Sequence, residues 1–128
     1  MGSPMTPLFF QQPQTAPFLG TVIVSANPSS SGSADIISAA TNANGIIITS
    51  VFISASETTS GTSNIEFKIN GNTLAVAYAT RSTDVNIGAV FTMCNIQVPA
   101  GQSVSYTFTE SSVGTGYIIV SYKVAGSP

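Results

Sequence analysis

Histidine and tryptophan are absent from this chain, and cysteine occurs once. Charge is almost as scarce: three Lys or Arg and five Asp or Glu among 128 residues, where a typical soluble domain carries about a quarter. Each shortage excludes something. Without histidine there is no side chain that titrates unaided near neutrality, so general acid–base work would fall to five scattered carboxylates. Metal chemistry is disfavoured too, because no Cys/His cluster and no Asp/Asn ladder with calcium-loop spacing occurs. Three dispersed cations cannot neutralise a row of phosphates or a lipid surface, which argues against nucleic acid and membrane as partners. No apolar run reaches the roughly 18 residues that a membrane-spanning helix requires. The segment Met1-Gly-Ser-Pro-Met-Thr-Pro7 shows no basic stretch followed by a greasy one, which predicts no signal peptide.

Cys94, being single, cannot close an internal disulfide, which fits synthesis in a reducing cytoplasm. With no histidine to lower its pKa it reads as a small buried hydrophobe rather than a nucleophile. No catalytic residue, cofactor site or metal site emerges, and the expectation is that the protein is not an enzyme. The pair that could still meet in space is Glu57 and Glu110, since both fall at strand ends.

What is present is hydroxyl. Ser and Thr together supply 34 residues, and the net charge is −2. A surface of neutral hydroxyls and amides has little electrostatic protection against association. Residues 1–18 stand apart. Pro4, Pro7, Pro13 and Pro17 break any helix and cannot donate to a sheet, while Leu8, Phe9, Phe10 and Phe18 lie between or just after them. This composition predicts an extended arm whose apolar side chains anchor on a neighbouring subunit, the alternative being that it folds back on its own domain. Fully extended, it would span about 60 Å.

From residue 19 to 128 the pattern is strand, turn, strand. Expected strands are Thr21–Ser25, a short one over Asp35–Ala40, Ile46–Ile53, the pair around Asn70-Gly71, Val85–Met93 with Gly88 as a bulge, Gln102–Thr109, and Tyr117–Val124. Ile46–Ile53 and the start of Tyr117–Val124 are apolar on both faces, so each needs cover from a second sheet and again from another chain or the arm. Asn70-Gly71 is the favoured two-residue hairpin turn. Simple counting from it pairs Phe67 with Leu74 and Ile65 with Val76 on one inward face, with Glu66 and Lys68 outward. Polar loops at Asn27–Ser33, Glu57–Ser63 and Ser111–Tyr117 are candidate sites for a sugar or receptor. The fold class expected is all-β: an antiparallel jelly-roll or β-sandwich of seven or eight strands, preceded by the arm.

Two stretches give the chain a family likeness: Asn95-Ile-Gln-Val-Pro-Ala-Gly-Gln-Ser-Val-Ser-Tyr-Thr-Phe108 and Gly116-Tyr-Ile-Ile-Val-Ser-Tyr-Lys-Val124. With the Pro-rich arm and the uncharged Ser/Thr-rich body, the chain resembles tailed-bacteriophage capsid decoration, or cement, proteins with a jelly-roll fold. The resemblance implies a homotrimer on the outer surface of the virion capsid that fastens neighbouring copies of the major capsid protein. The alternative expectation is a tail-fibre or spike receptor-binding domain that recognises a cell-surface glycan.

Overall fold

The computed structural model describes residues 18–57, 60–81, 85–86, 88–111 and 113–125. The arm anchors Leu8, Phe9 and Phe10 lie outside these. The described residues form β1 (Phe18–Ala26), β2 (Gly32–Ile37), β3 (Ile46–Glu57), β4 (Gly61–Ile69), β5 (Asn72–Arg81), the two-residue β6 (Val85–Asn86), β7 (Gly88–Val98), β8 (Val104–Glu110) and β9 (Gly114–Ala125). They make two antiparallel sheets with strand orders β1-β9-β3-β7 and β2-β8-β4-β5-β6. Leaving out the short β6, each sheet has four strands, and apart from the β4–β5 hairpin consecutive strands alternate between sheets, in jelly-roll order. The expected all-β fold is therefore present, with eight long strands.

Alternation of apolar residues explains why these segments pair as they do. Along β9, Ile118, Val120 and Tyr122 point inward and Tyr117, Ile119 and Lys123 outward. Along β8, Val104 and Phe108 are fully buried and Tyr106 half-buried on the same side, as its pattern predicts. The core between the sheets comprises Ile48, Val51 and Ile53 of β3, Ile65 and Phe67 of β4, Val104 and Phe108 of β8, and Ile118 and Val120 of β9. Each is at most 2 % exposed, which places the main hydrophobic stabilisation here. In β3 the inward set changes phase at Thr49, where the register against both neighbours slips between Ile48 and Ser50. This irregularity lets a strand with apolar residues on both faces keep Ile46 and Ile48 inward before it and Val51 and Ile53 inward after it.

Several expectations require correction. The hairpin turn is as expected, with positive φ at Asn70 and Gly71, and Ile69 pairs with Asn72. The register then slips: Lys68 faces Thr73, Phe67 faces Ala75 and Ile65 faces Ala77. Leu74 is the extra residue of a β-bulge, so the inward side of β5 is Ala75, Ala77 and Ala79, while Leu74, Val76 and Tyr78 face out. Packing accounts for the slip. Ile65 and Phe67 already fill the space beneath β4, and β5 approaches β7 so closely that a side chain on Gly88 would overlap the Tyr78 main chain. Small inward residues on β5 permit that approach. The glycine at 88 thus serves contact between the sheets rather than the expected bulge. The second strand runs over Gly32–Ile37 instead of Asp35–Ala40, and β3 and β4 extend into the stretch expected as a loop, to Glu57 and from Gly61. The main chain of Phe18, assigned to the arm, already belongs to β1 opposite Ala125.

A buried polar clamp closes one end. Asn42 is 1 % exposed, and its Nδ2 donates to the carbonyls of Pro99 (2.8 Å) and Gln102 (3.0 Å). Its main-chain carbonyl accepts from the Gly101 N–H at 2.7 Å. One residue, through side chain and main chain together, thereby fixes the Val98-Pro-Ala-Gly101 turn between β7 and β8.

Candidate functional site

The two outer faces of the sandwich differ in chemistry. On the five-stranded sheet, cross-strand rows read Asp35–Ser105–Lys68–Thr73 and Ser33–Thr107–Glu66–Val76. These rows bond internally: Thr73 Oγ1 donates to Glu66 Oε1 at 2.6 Å, and the Ser33 and Thr107 hydroxyls lie 2.7 Å apart. Three of the chain's eight charges sit here, and among the residues whose exposure is described the large exposed apolar side chains are Leu74, Val76 and Tyr78 along β5. This face suits water.

The outer face of the four-stranded sheet does not. Register aligns Ser25, Ile119, Phe52 and Phe91 in one row across all four strands. The adjoining rows are Ile23–Ser121–Ser50–Met93 and Tyr117–Ser54–Ala89. Phe91 is 63 % exposed, Met93 72 % and Ile23 66 %, with Tyr117 also open to solvent. Lys123 is the one charged residue among the described residues of these rows and the next, Thr21–Lys123–Ile47–Gln97. The predicted need for cover on the second face of β3 and β9 is met by nothing among the described residues. Contiguous exposed apolar surface on a rigid sheet is the usual mark of an interface. Sequence reading singled out the two strands but not Phe91 and Met93. The available signal was the alternation Ala89, Phe91, Met93, which places all three on one face.

Of the predicted arm anchors, Leu8, Phe9 and Phe10 lie outside the described residues, and Phe18 begins β1 at the edge of this same sheet. The predicted polar loops come together at one end of the sandwich. Glu110 N–H donates to Ser31 Oγ at 2.9 Å, Thr62 N–H to Ser111 Oγ at 2.8 Å, and Gly116 N–H to the Pro28 carbonyl at 2.9 Å. Glu57 and Glu110 also converge here, around Gly114. Glu110 Oε2 accepts from the Gly114 N–H at 3.4 Å, and a Cβ on Gly114 would lie 3.0 Å from Glu57 Oε2. Glu57 is 1 % exposed and neither carboxylate oxygen has a hydrogen-bond partner.

Cys94 is half-buried on β7, and its Sγ–H donates to the Ile48 carbonyl at 3.5 Å. Burial pushes its thiol above the usual range, against a smaller lowering by a main-chain hydrogen bond with Ile96. That is the setting of an inert packing cysteine.

The sequence matches no protein-family model and no curated protein. Among solved structures, the fold is similar to an Eiger tumour necrosis factor from S. frugiperda, at 9 % identity and a TM-score of 0.46, over 88 % of this chain and 95 % of that one. It is also similar to part of the catalytic domain of a GH87 α-1,3-glucanase in complex with nigerose, at 10 % identity and a TM-score of 0.38. There it covers 89 % of this chain but 29 % of the other. At these scores neither likeness carries function, and the jelly-roll assignment rests on the strand order itself.

Proposed function

We propose that this protein is a structural module that works by adhesion: the outer face of its four-stranded sheet buries against a protein partner, and the Pro-rich arm adds a second attachment. The reading taken from the family resemblance makes it a homotrimeric capsid decoration protein that bridges major capsid subunits on the virion surface. The observation that carries the adhesive reading is the row Ile119–Phe52–Phe91 with Met93 and Tyr117 beside it, an apolar strip with a single nearby charge. Low charge keeps the desolvation cost of a broad contact small, because neutral hydroxyls are cheaper to bury than ions. Aromatic side chains such as Phe91 and Tyr117 are the groups that dominate many interfaces. Nothing in this reading requires catalysis, and we infer that the protein is not an enzyme.

The test is cosedimentation with assembled shells of major capsid protein and, separately, with its unassembled subunits. Decoration requires binding to shells, reduced by deletion of residues 1–17 and abolished by Phe91→Lys with Met93→Lys. A folded protein that ignores shells overturns the capsid assignment. The convergence of three polar loops at one end supports the second reading, a receptor-binding domain. A glycan-array hit that loop substitutions remove, with no binding to shells, would establish that one instead.

A further inference from the structure

We propose that the end of the sandwich around Gly114 binds a divalent cation of calcium's size, held by the carboxylates of Glu57 and Glu110. Glu57 is the last residue of β3 and pairs with Gly114, the first residue of β9. Its alternation points it inward, and it is 1 % exposed with both oxygens unpartnered. An ionised carboxylate in that setting is very costly unless something compensates it. The hydroxyl of Ser63, which packs beside Gly114, is committed, its Oγ donating to the Ser56 carbonyl at 3.0 Å.

A small cation would satisfy both carboxylates at once. Glu110 Oε2 also meets Gly114, accepting its N–H at 3.4 Å. The Ser56 carbonyl, 2.9 Å from where a Cβ on Gly114 would stand, supplies a third oxygen. Glycine at 114 lets these groups close in: a Cβ there would come within 3.0 Å of Glu57 Oε2 and of Ser63 Cβ as well. Among the described residues no three Asp, Glu, Cys or His side chains gather, so the site has two carboxylates with carbonyl and water oxygens. That donor set is all oxygen and irregular, which suits Ca²⁺ better than Mg²⁺ with its strict octahedron. Two carboxylates place the affinity in the weak range of extracellular calcium modules, about 10⁻⁴–10⁻³ M.

The experiment uses the full chain, stripped with EDTA and kept dilute so that association through the apolar sheet does not contribute. Scanning calorimetry with and without millimolar CaCl₂ is paired with a calorimetric CaCl₂ titration. The expected result is a rise in Tm of about 4 °C with CaCl₂, less with MgCl₂. Glu57→Gln is expected to fold and lose the response. Glu110→Gln, which leaves the buried carboxylate in place, is expected to weaken binding at least 10-fold. No CaCl₂ heat and no Tm change in the unaltered protein overturns the proposal. An undiminished response in both variants overturns it equally. Either failure leaves the adhesive reading standing, because that is read on shells and not on CaCl₂.

Discussion

Replacing Phe91 and Met93 together by serine should weaken association through the sheet face proposed above as an interface, while leaving each subunit folded. The two side chains are 63 % and 72 % exposed in the isolated chain, so that fraction of each remains to be buried in an assembly. Complete burial of either side chain is worth about 1.5–3 kcal/mol, so the open fractions amount to about 2–4 kcal/mol for the pair in each subunit. That is a drop of about 30- to 1000-fold in the association constant. The isolated subunit, by contrast, loses little, since surface substitutions usually stay within about 0.5 kcal/mol. Sedimentation velocity over a concentration series reads the association, and circular dichroism during heating reads the fold. Serine matches the neutral hydroxyls already on this face, so no new charge confuses the result. An association constant unchanged within about threefold, with the double variant still folded, would refute the assignment of this face as an interface.

Other expectations follow from the packing. Leu74→Ala should cost under about 1 kcal/mol because the bulge turns Leu74 outward, whereas Ile65→Ala on the facing strand should cost about 2–5 kcal/mol. Urea midpoints compare the two, and a large loss at Leu74 would restore the simple hairpin register. Asn42→Ala should cost about 2–3 kcal/mol, since it removes two donors from the carbonyls of Pro99 and Gln102 inside the fold. Denaturant unfolding measures this, and a near-neutral result would mean that the turn holds itself. Burial raises the Cys94 thiol above its unfolded value, so the fold favours the protonated form. Any stability from this difference is complete below the unfolded thiol pKa and fades as pH rises through the folded one. The decline in urea midpoint at alkaline pH should therefore be shallower in Cys94→Ala than in the parent, and identical slopes would contradict it.

How much of this was legible in the sequence depended on whether the signal was local. Val104, Tyr106 and Phe108 alternate cleanly and announce β8; Asn70-Gly71 announces its turn by the positive φ that both residues tolerate. The bulge at Leu74 is different, because it is decided by how closely β5 approaches β7 across the sandwich, and nothing next to Leu74 in sequence records Gly88. The same distinction applies to function. Two-sided apolarity in Ile46–Ile53 and Tyr117–Val124 pointed to an outer contact, but the row that joins Phe52 to Phe91 and Ile119 exists only once β3 lies between β7 and β9. Glu57 and Glu110 stood out as strand-end carboxylates. Their convergence on Gly114, and the complete burial of one of them, depend on the pairing of β3 with β9.

Phe18 lies opposite Ala125 on neighbouring strands, about 5 Å apart between Cα atoms. Polypeptide appended before the first strand and after the last would therefore emerge side by side. A short peptide linker could splice these positions, with new chain ends opened at the Asn70-Gly71 corner, and the permuted gene should still encode the same pleated shell. The layout suits the body to carrying passengers: those joined directly to Phe18 or to Ala125 would start from one shared point.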